Sequence, residues 1–107
     1  MVKNTYGIGS INLSPTAKCY CPLGKDWYTN NFTVTFVPGE FIPDYCEVDK
    51  WIDENINGKE LIIEAAVAAL YDYLHDTYSP DKLVVSSQVK DAKHSPVQVA
   101  KGGFYVC

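Results

Sequence analysis

Apolar and polar residues alternate over Phe32–Val37, with Phe32, Val34 and Phe36 on one side and Thr33 and Thr35 on the other. A period of two predicts a strand with one buried face, and Pro38-Gly39 closes it. Upstream, Ile11 and Leu13 alternate with Ser10, Asn12 and Ser14, while Gly7 and Gly9 argue against a longer strand. Pro15 has no N–H for a ladder, so this short strand is expected at a sheet edge. Ala17–Cys21 reads as its continuation, and the early strands as a hairpin. The period then changes. Tyr45, Val48, Trp51 and Ile52 recur at three-and-four spacing behind Pro43-Asp44, predicting a capped helix through Cys46–Asp53 that Asn57-Gly58 ends. A longer helix is predicted over Lys59–Thr77, with Leu61, Ile62, Ala65, Ala66, Ala69, Leu70, Tyr73 and Leu74 as its apolar face and Ser79-Pro80 as its stop. Two strands close the chain, Leu83–Val89 and Pro96–Val106, joined by a polar turn over residues 90–95. The expected order is strand, strand, helix, helix, strand, strand.

A chain of 107 residues suits one domain with one core. Apolar residues at 47% and charged residues at 21% exclude a disordered class, and the longest apolar run, Leu61–Tyr71, is broken by Glu64 and too short for a bilayer. Met1–Thr5 leads into no apolar stretch, so no secretion signal is expected and the cytoplasm is the default compartment. The net charge is −4 and all nine basic residues are lysines, scattered singly. Nucleic-acid binders use arginine forks and basic patches, so this composition disfavours such a partner for the monomer. A ring of subunits could still gather Lys90, Lys93 and Lys101 on one rim.

Four cysteines could form two disulfides, but Cys19 and Cys21 flank one residue, Cys46 lies in a predicted helix and Cys107 ends the chain. Reduced thiols are the expectation. Cys19-x-Cys21 lacks the spacer of zinc ribbons and His75 and His94 form no ligand pair, so no metal is expected. The stretch with most chemistry is Cys21-Pro22-Leu23-Gly24-Lys25-Asp26. A thiol beside an ammonium, with a carboxylate five residues on, has what attack on an electrophilic carbon needs; the plain alternative is a buried, inert cysteine. Glu64 is the second candidate. A carboxylate on a packed helix can accept two N–H bonds from a guanine-like or pterin-like base, although Glu60, Glu64, Tyr71, Asp72 and His75 also fall together as an ordinary solvated stripe.

Cys21-Pro22-x-x-Lys25, a strand ending Phe36-Val37-Pro38, two helices with Glu64 early in the second, and two closing strands resemble a single module of the tunnelling-fold family. The similarity runs over roughly residues 17–105, and within the family it is to the 7-cyano-7-deazaguanine reductases of the queuosine pathway and their archaeal amidinotransferase-like relatives. The resemblance implies an α+β tunnelling fold of ββααββ order, an antiparallel sheet with two helices on one face. It also implies homo-oligomeric stacked rings with sites between subunits, where Cys21 and Glu64 come from different chains. Cys21 would match the nucleophile that adds to a nitrile carbon to give a thioimide, and Glu64 the carboxylate that recognises the 7-deazaguanine base. Lys25 would sit beside the thiol and the substrate. The family's proton-donating aspartate lies seven residues after the cysteine, where this chain has Tyr28; Asp26 is the nearest carboxylate. The family's histidine before the glutamate is Ile63 here. The reductases hold NADPH with a lysine-bearing stretch that this chain replaces by Asp44-Tyr45-Cys46-Glu47, whose acidity opposes a 2′-phosphate. The amidinotransferase-like relatives also lack that stretch, but act on base already in tRNA. Rival readings are a pterin or purine enzyme of cyclohydrolase or aldolase type, in which Cys21 is dispensable, and a catalytically silent base-binding or scaffolding member.

Overall fold

A computed structural model describes residues 1–103. The first ordered pairing is minor: β1 (Val2–Lys3) runs antiparallel to β5 (Phe41–Ile42). The main sheet is built on β4 (Asp26–Val37), twelve residues long. One edge of β4 carries two strands in succession, β3 (Thr16–Cys21) along its first half and β2 (Ile11–Leu13) along its second. Ser14-Pro15 breaks what would otherwise be one strand, and the Pro15 carbonyl still accepts from Phe32 N–H at 2.9 Å. Proline therefore sits at the edge, where its missing N–H leaves no ladder bond unmade. On the other side of β4 come β6 (Lys82–Val89) and then β7 (Val97–Lys101), all antiparallel.

The strand predicted over Phe32–Val37 begins six residues earlier than expected, at Asp26. Along β4 the buried face reads Tyr28, Asn30, Phe32, Val34 and Phe36, so the alternation is complete but has a polar member. Asn30 is wholly buried because its partners are too: its amide donates to Cys19 Sγ at 3.4 Å and its oxygen accepts from Ser87 Oγ at 2.8 Å. Cys19 Sγ in turn donates to the Ile56 carbonyl at 3.3 Å. This chain of bonds satisfies every buried polar group that it contains and ties β6, β4, β3 and the end of the first helix together.

Both helices pack on one face of the sheet. Helix α1 (Tyr45–Asn55) starts where Asp44 accepts from Cys46 and Glu47 N–H, at 3.0 and 3.2 Å, as an N-cap should. It buries Val48 and Ile52. Helix α2 (Ile63–Tyr78) buries Ala66, Val67, Leu70, Leu74 and Tyr78 and ends at Ser79, whose φ of 47° breaks the helix before Pro80. Trp51 stacks on Tyr73, centroids 4.3 Å apart, where the two helices meet. One core results, between this helical layer and Phe32, Val34, Phe36, Val85 and Val89 of the sheet.

Helix α2 does not begin at Lys59, as periodicity predicts, because the backbone there has another use. Residues 59–61 run extended beside β3: Tyr20 N–H donates to the Lys59 carbonyl at 2.9 Å and Leu61 N–H to the Tyr20 carbonyl at 3.1 Å, a parallel bridge outside the antiparallel ladder. Of the expected solvated stripe, Glu60 leaves the helix, while Glu64, Asp72 and His75 stay exposed on α2, with Tyr71 stacked on His75 and Asp72 meeting Lys101 at 3.0 Å. The last strand, predicted over Pro96–Val106, spans Val97–Lys101; positions 104–106 and Cys107 lie outside the described residues. Gly102 ends it with φ of 96°, pressed so closely on β6 that a Cβ would fall 2.3 Å from the Leu83 carbonyl oxygen.

Two substitutions test this architecture by chemical denaturation. Asn30→Ala, which strands Ser87 Oγ and Cys19 Sγ in the core, is expected to lower the unfolding free energy by about 1–3 kcal/mol, against less than about 0.5 kcal/mol for Asn31→Ala next to it. Equal effects would remove the buried network from any structural role. Gly102→Ala is expected to cost at least about 1–3 kcal/mol, because strained φ and a backbone clash add; an unshifted midpoint would contradict the close packing of β7 on β6.

Candidate active site

Cys19 and Cys21 are two residues apart on β3, so both side chains face the helical layer. Their surroundings differ. Cys19 lies under α1, wholly buried, and burial pushes its thiol up from the ordinary cysteine range despite hydrogen bonds from its neighbours. Cys21 is the last residue of β3, where the helical layer stops, and is half-buried. The loop after it is only Pro22–Lys25, with Cys21 paired to Asp26 across its base. It closes through Lys25 N–H donating to the Cys21 carbonyl at 2.8 Å, with Lys25 in the left-handed region at φ 52°. Inside the turn Gly24 N–H points at Cys21 Sγ, 3.4 Å away, a backbone donor suited to a thiolate.

The bridge between Tyr20 and residues 59–61 decides what faces this thiol. Since Tyr20 precedes Cys21 and Leu61 is followed two residues later by the start of α2, the first turn of α2 is delivered beside the sulfur. Tyr28 reinforces the placement from within: its hydroxyl donates to the Leu61 carbonyl. Burial raises the Tyr28 phenol well above its usual range, so the proton stays on this clasp. No side chain caps α2, whose first-turn N–H groups therefore meet the cleft without a side-chain partner, the positive end of the helix dipole among them.

The third wall is the loop between β6 and β7. Asp91 accepts from Thr29 N–H of β4 at 2.9 Å, and that bond holds its carboxyl below the usual carboxylate range. Ala92 packs against the core, and Lys93 Nζ lies 3.9 Å from Asp26 Oδ2. This stapled loop carries His94.

Together the three segments enclose a cleft of about 560 Å³ whose walls include Cys21, Gly24, Ile63, Glu64 and His94. A smaller apolar recess of about 50 Å³ opens beside it, sharing Cys21, Gly24, Ile63 and His94 and adding Asp26, Trp27 and Tyr28. Cys21 and Glu64 thus line one cleft of the same chain. Glu64 is exposed on the cleft wall, and among the described residues no cation lies within ion-pairing distance of it. Asp26 borders the recess, one oxygen accepting from Trp27 N–H at 2.8 Å. Lys25 borders neither cavity; the lysine on the recess wall is Lys93, remote from Cys21 in order but lining the same recess. Ile63 supplies an apolar wall where the resembled family has histidine. Residue order gives no sign of the part His94 plays here, because no periodicity marks a loop residue as facing a strand end; spacing speaks only to its fitness as a metal ligand.

A comparably large groove of about 590 Å³ lies between β3 and α1, with Lys18, Asp49 and Asp53 on its walls. It holds no thiol or imidazole. Among the described residues no group of three or more histidine, cysteine or acidic side chains is arranged to hold a metal ion, and no helix is long and apolar enough to cross a membrane.

No family model matches this chain, and no curated protein sequence is similar to it. Among solved structures it is similar to the archaeosine synthase QueF-like in its apo form, with a TM-score of 0.81 over 94% of this chain and 99% of that one, at 17% identity. Identity that low speaks for the fold alone, and the fold is the α+β arrangement expected from the sequence, two helices packed on one antiparallel sheet.

Proposed function

We propose that this chain is a 7-deazaguanine-binding enzyme in which Cys21 adds to the nitrile carbon of a 7-cyano-7-deazaguanine substrate to form a thioimide. The observation that supports the reading is the shared cleft of Cys21 and Glu64, a nucleophile and an acceptor lining one space large enough for a flat bicyclic base. A nitrile is a weak electrophile, so it requires a thiolate; Gly24 N–H and the uncapped start of α2 both favour negative charge on sulfur. Glu64 accepts from the amidine edge of the base. Asp26 and Tyr28 shape the recess beside the reacting carbon, and Lys25 contributes through its turn. The fold likeness to an archaeosine synthase is consistent with a substrate of this class.

The fate of the thioimide divides two versions of the reading. Delivery of hydride from NADPH would reduce it, whereas attack by an amine nitrogen would break the carbon–sulfur bond, give an amidine and return the thiol. The second is favoured by the start of α1, where the Asp44 cap and Glu47 in the first turn place negative charge that opposes the 2′-phosphate of NADPH. The base acted on would then be free, since a net charge of −4 and the absence of arginine disfavour base already in tRNA. Assembly into rings belongs to the same proposal, with the open edge of β7 joined to the β2 edge of the next copy.

Intact-protein mass spectrometry after incubation with 7-cyano-7-deazaguanine tests the proposal. A gain equal to the whole substrate is expected in the wild type and in Cys19→Ala, and none in Cys21→Ala. Glu64→Gln is expected to weaken binding of the base by about 10–100-fold, the loss of a charged hydrogen-bond acceptor. A wild type that gains no mass at saturating substrate would sink the nitrile chemistry.

A further inference from the structure

His94 is the one imidazole among the described residues that shares walls with Cys21, and it does so in both the cleft and the recess. Its ring is oriented. Nδ1 lies 2.8 Å from the Ser95 carbonyl oxygen, which can only accept, so Nδ1 carries hydrogen and the neutral ring presents Nε2 as a base. The loop that bears it is anchored to β4 at two points, through Asp91 to Thr29 and through Lys93 to Asp26. Of the other acid–base groups on these walls, the Tyr28 hydroxyl donates to Leu61, Asp26 accepts from Trp27 N–H through one oxygen and faces Lys93 with the other, and Glu64 is the acceptor assigned to the base.

We propose that His94 is the general base and acid of Cys21, taking the thiol proton on Nε2 and returning it to the atom that becomes negative when sulfur attacks. This rests on the nitrile reading for its substrate and on the shared walls for the pair itself. In that chemistry Nε2 removes the proton from Cys21, sulfur bonds to the nitrile carbon, one π pair of the C≡N bond moves to nitrogen, and the imidazolium gives its proton to that nitrogen. The net change is addition of S–H across C≡N, with His94 neutral again and its Nδ1–H still on Ser95. No outside reductant or co-reactant enters this step. His94 and Ile63 both line the two cavities that Cys21 borders, and His94 is the one of them that can carry a proton. The remaining titratable groups around the pair are Asp26, Tyr28, Glu64 and Lys93.

Three measurements on wild type, His94→Ala and His94→Gln decide it: alkylation of Cys21 by iodoacetamide at neutral pH, read at peptide level; the rate of mass gain from 7-cyano-7-deazaguanine; and calorimetric affinity for 7-deazaguanine, which lacks the nitrile. Both variants are expected to slow alkylation and nitrile addition by at least about tenfold, within the range of general acid–base effects, with affinity for 7-deazaguanine changed less than about twofold. Free imidazole is expected to restore part of the His94→Ala rates. Rates within about twofold of wild type overturn the proposal, and so does a slowing that imidazole leaves unrepaired, which makes His94 structural. If wild-type Cys21 is alkylated in a His94-dependent way yet gains no nitrile mass, the pair stands and the nitrile substrate falls. If the nitrile adds at the same rate without His94, the substrate stands and the pair falls.

Discussion

Two backbone hydrogen bonds, from Tyr20 N–H to Lys59 and from Leu61 N–H to Tyr20, are the constraint on which the site depends. They make the connection between the helices a partner of β3, on the side away from β4, and so set the angle and position at which α2 enters. Without that bridge the strong apolar periodicity from Leu61 onward would allow the helix to start earlier and the first turn to point elsewhere. With it, and with the Tyr28 hydroxyl holding the Leu61 carbonyl, the first turn of α2, which carries Glu64, lines the same cleft as Cys21. The site is therefore formed on rigid elements: a strand end and a helix start joined by a ladder bond, and a loop pinned by a carboxylate.

The same architecture explains why two cysteines on one strand face differ so much. Cys19 is covered by α1 and enrolled in a buried hydrogen-bond chain, where desolvation disfavours the thiolate. Cys21, one pleat further along, passes the limit of the helical layer and meets a backbone N–H and two cavities instead. Distance along the chain is a poor guide to these surroundings. Lys25, four residues from the thiol, lines neither cavity, while Lys93 and His94 reach the recess because β6 lies next to β4 and its loop is tied to Thr29.

Most of the fold was legible in residue order. The alternation of Phe32, Val34 and Phe36, the cap at Asp44, the wide apolar face of α2 and the Ser79-Pro80 stop each act within a few residues, so local pattern suffices. The length of β4 was hidden because its buried face includes Asn30, which reads as loop until Ser87 and Cys19 are seen to satisfy it. The start of α2 was hidden for a related reason, since a parallel partner far back in the chain, Tyr20, claims the backbone that periodicity would assign to the helix.

By itself the chain's order of residues determined most of the main strands and the existence of both helices, and that Cys21 ends a strand, because those properties follow from side-chain period and turn signals. Tertiary structure alone decided that Glu64 falls in the first turn of α2 and shares a cleft with Cys21, that Cys19 is sealed and Cys21 open, and that His94 rather than Lys25 stands on the walls around the sulfur. The physical reason is that hydrogen bonds between backbones, and the burial they bring, join residues without regard to their separation in sequence.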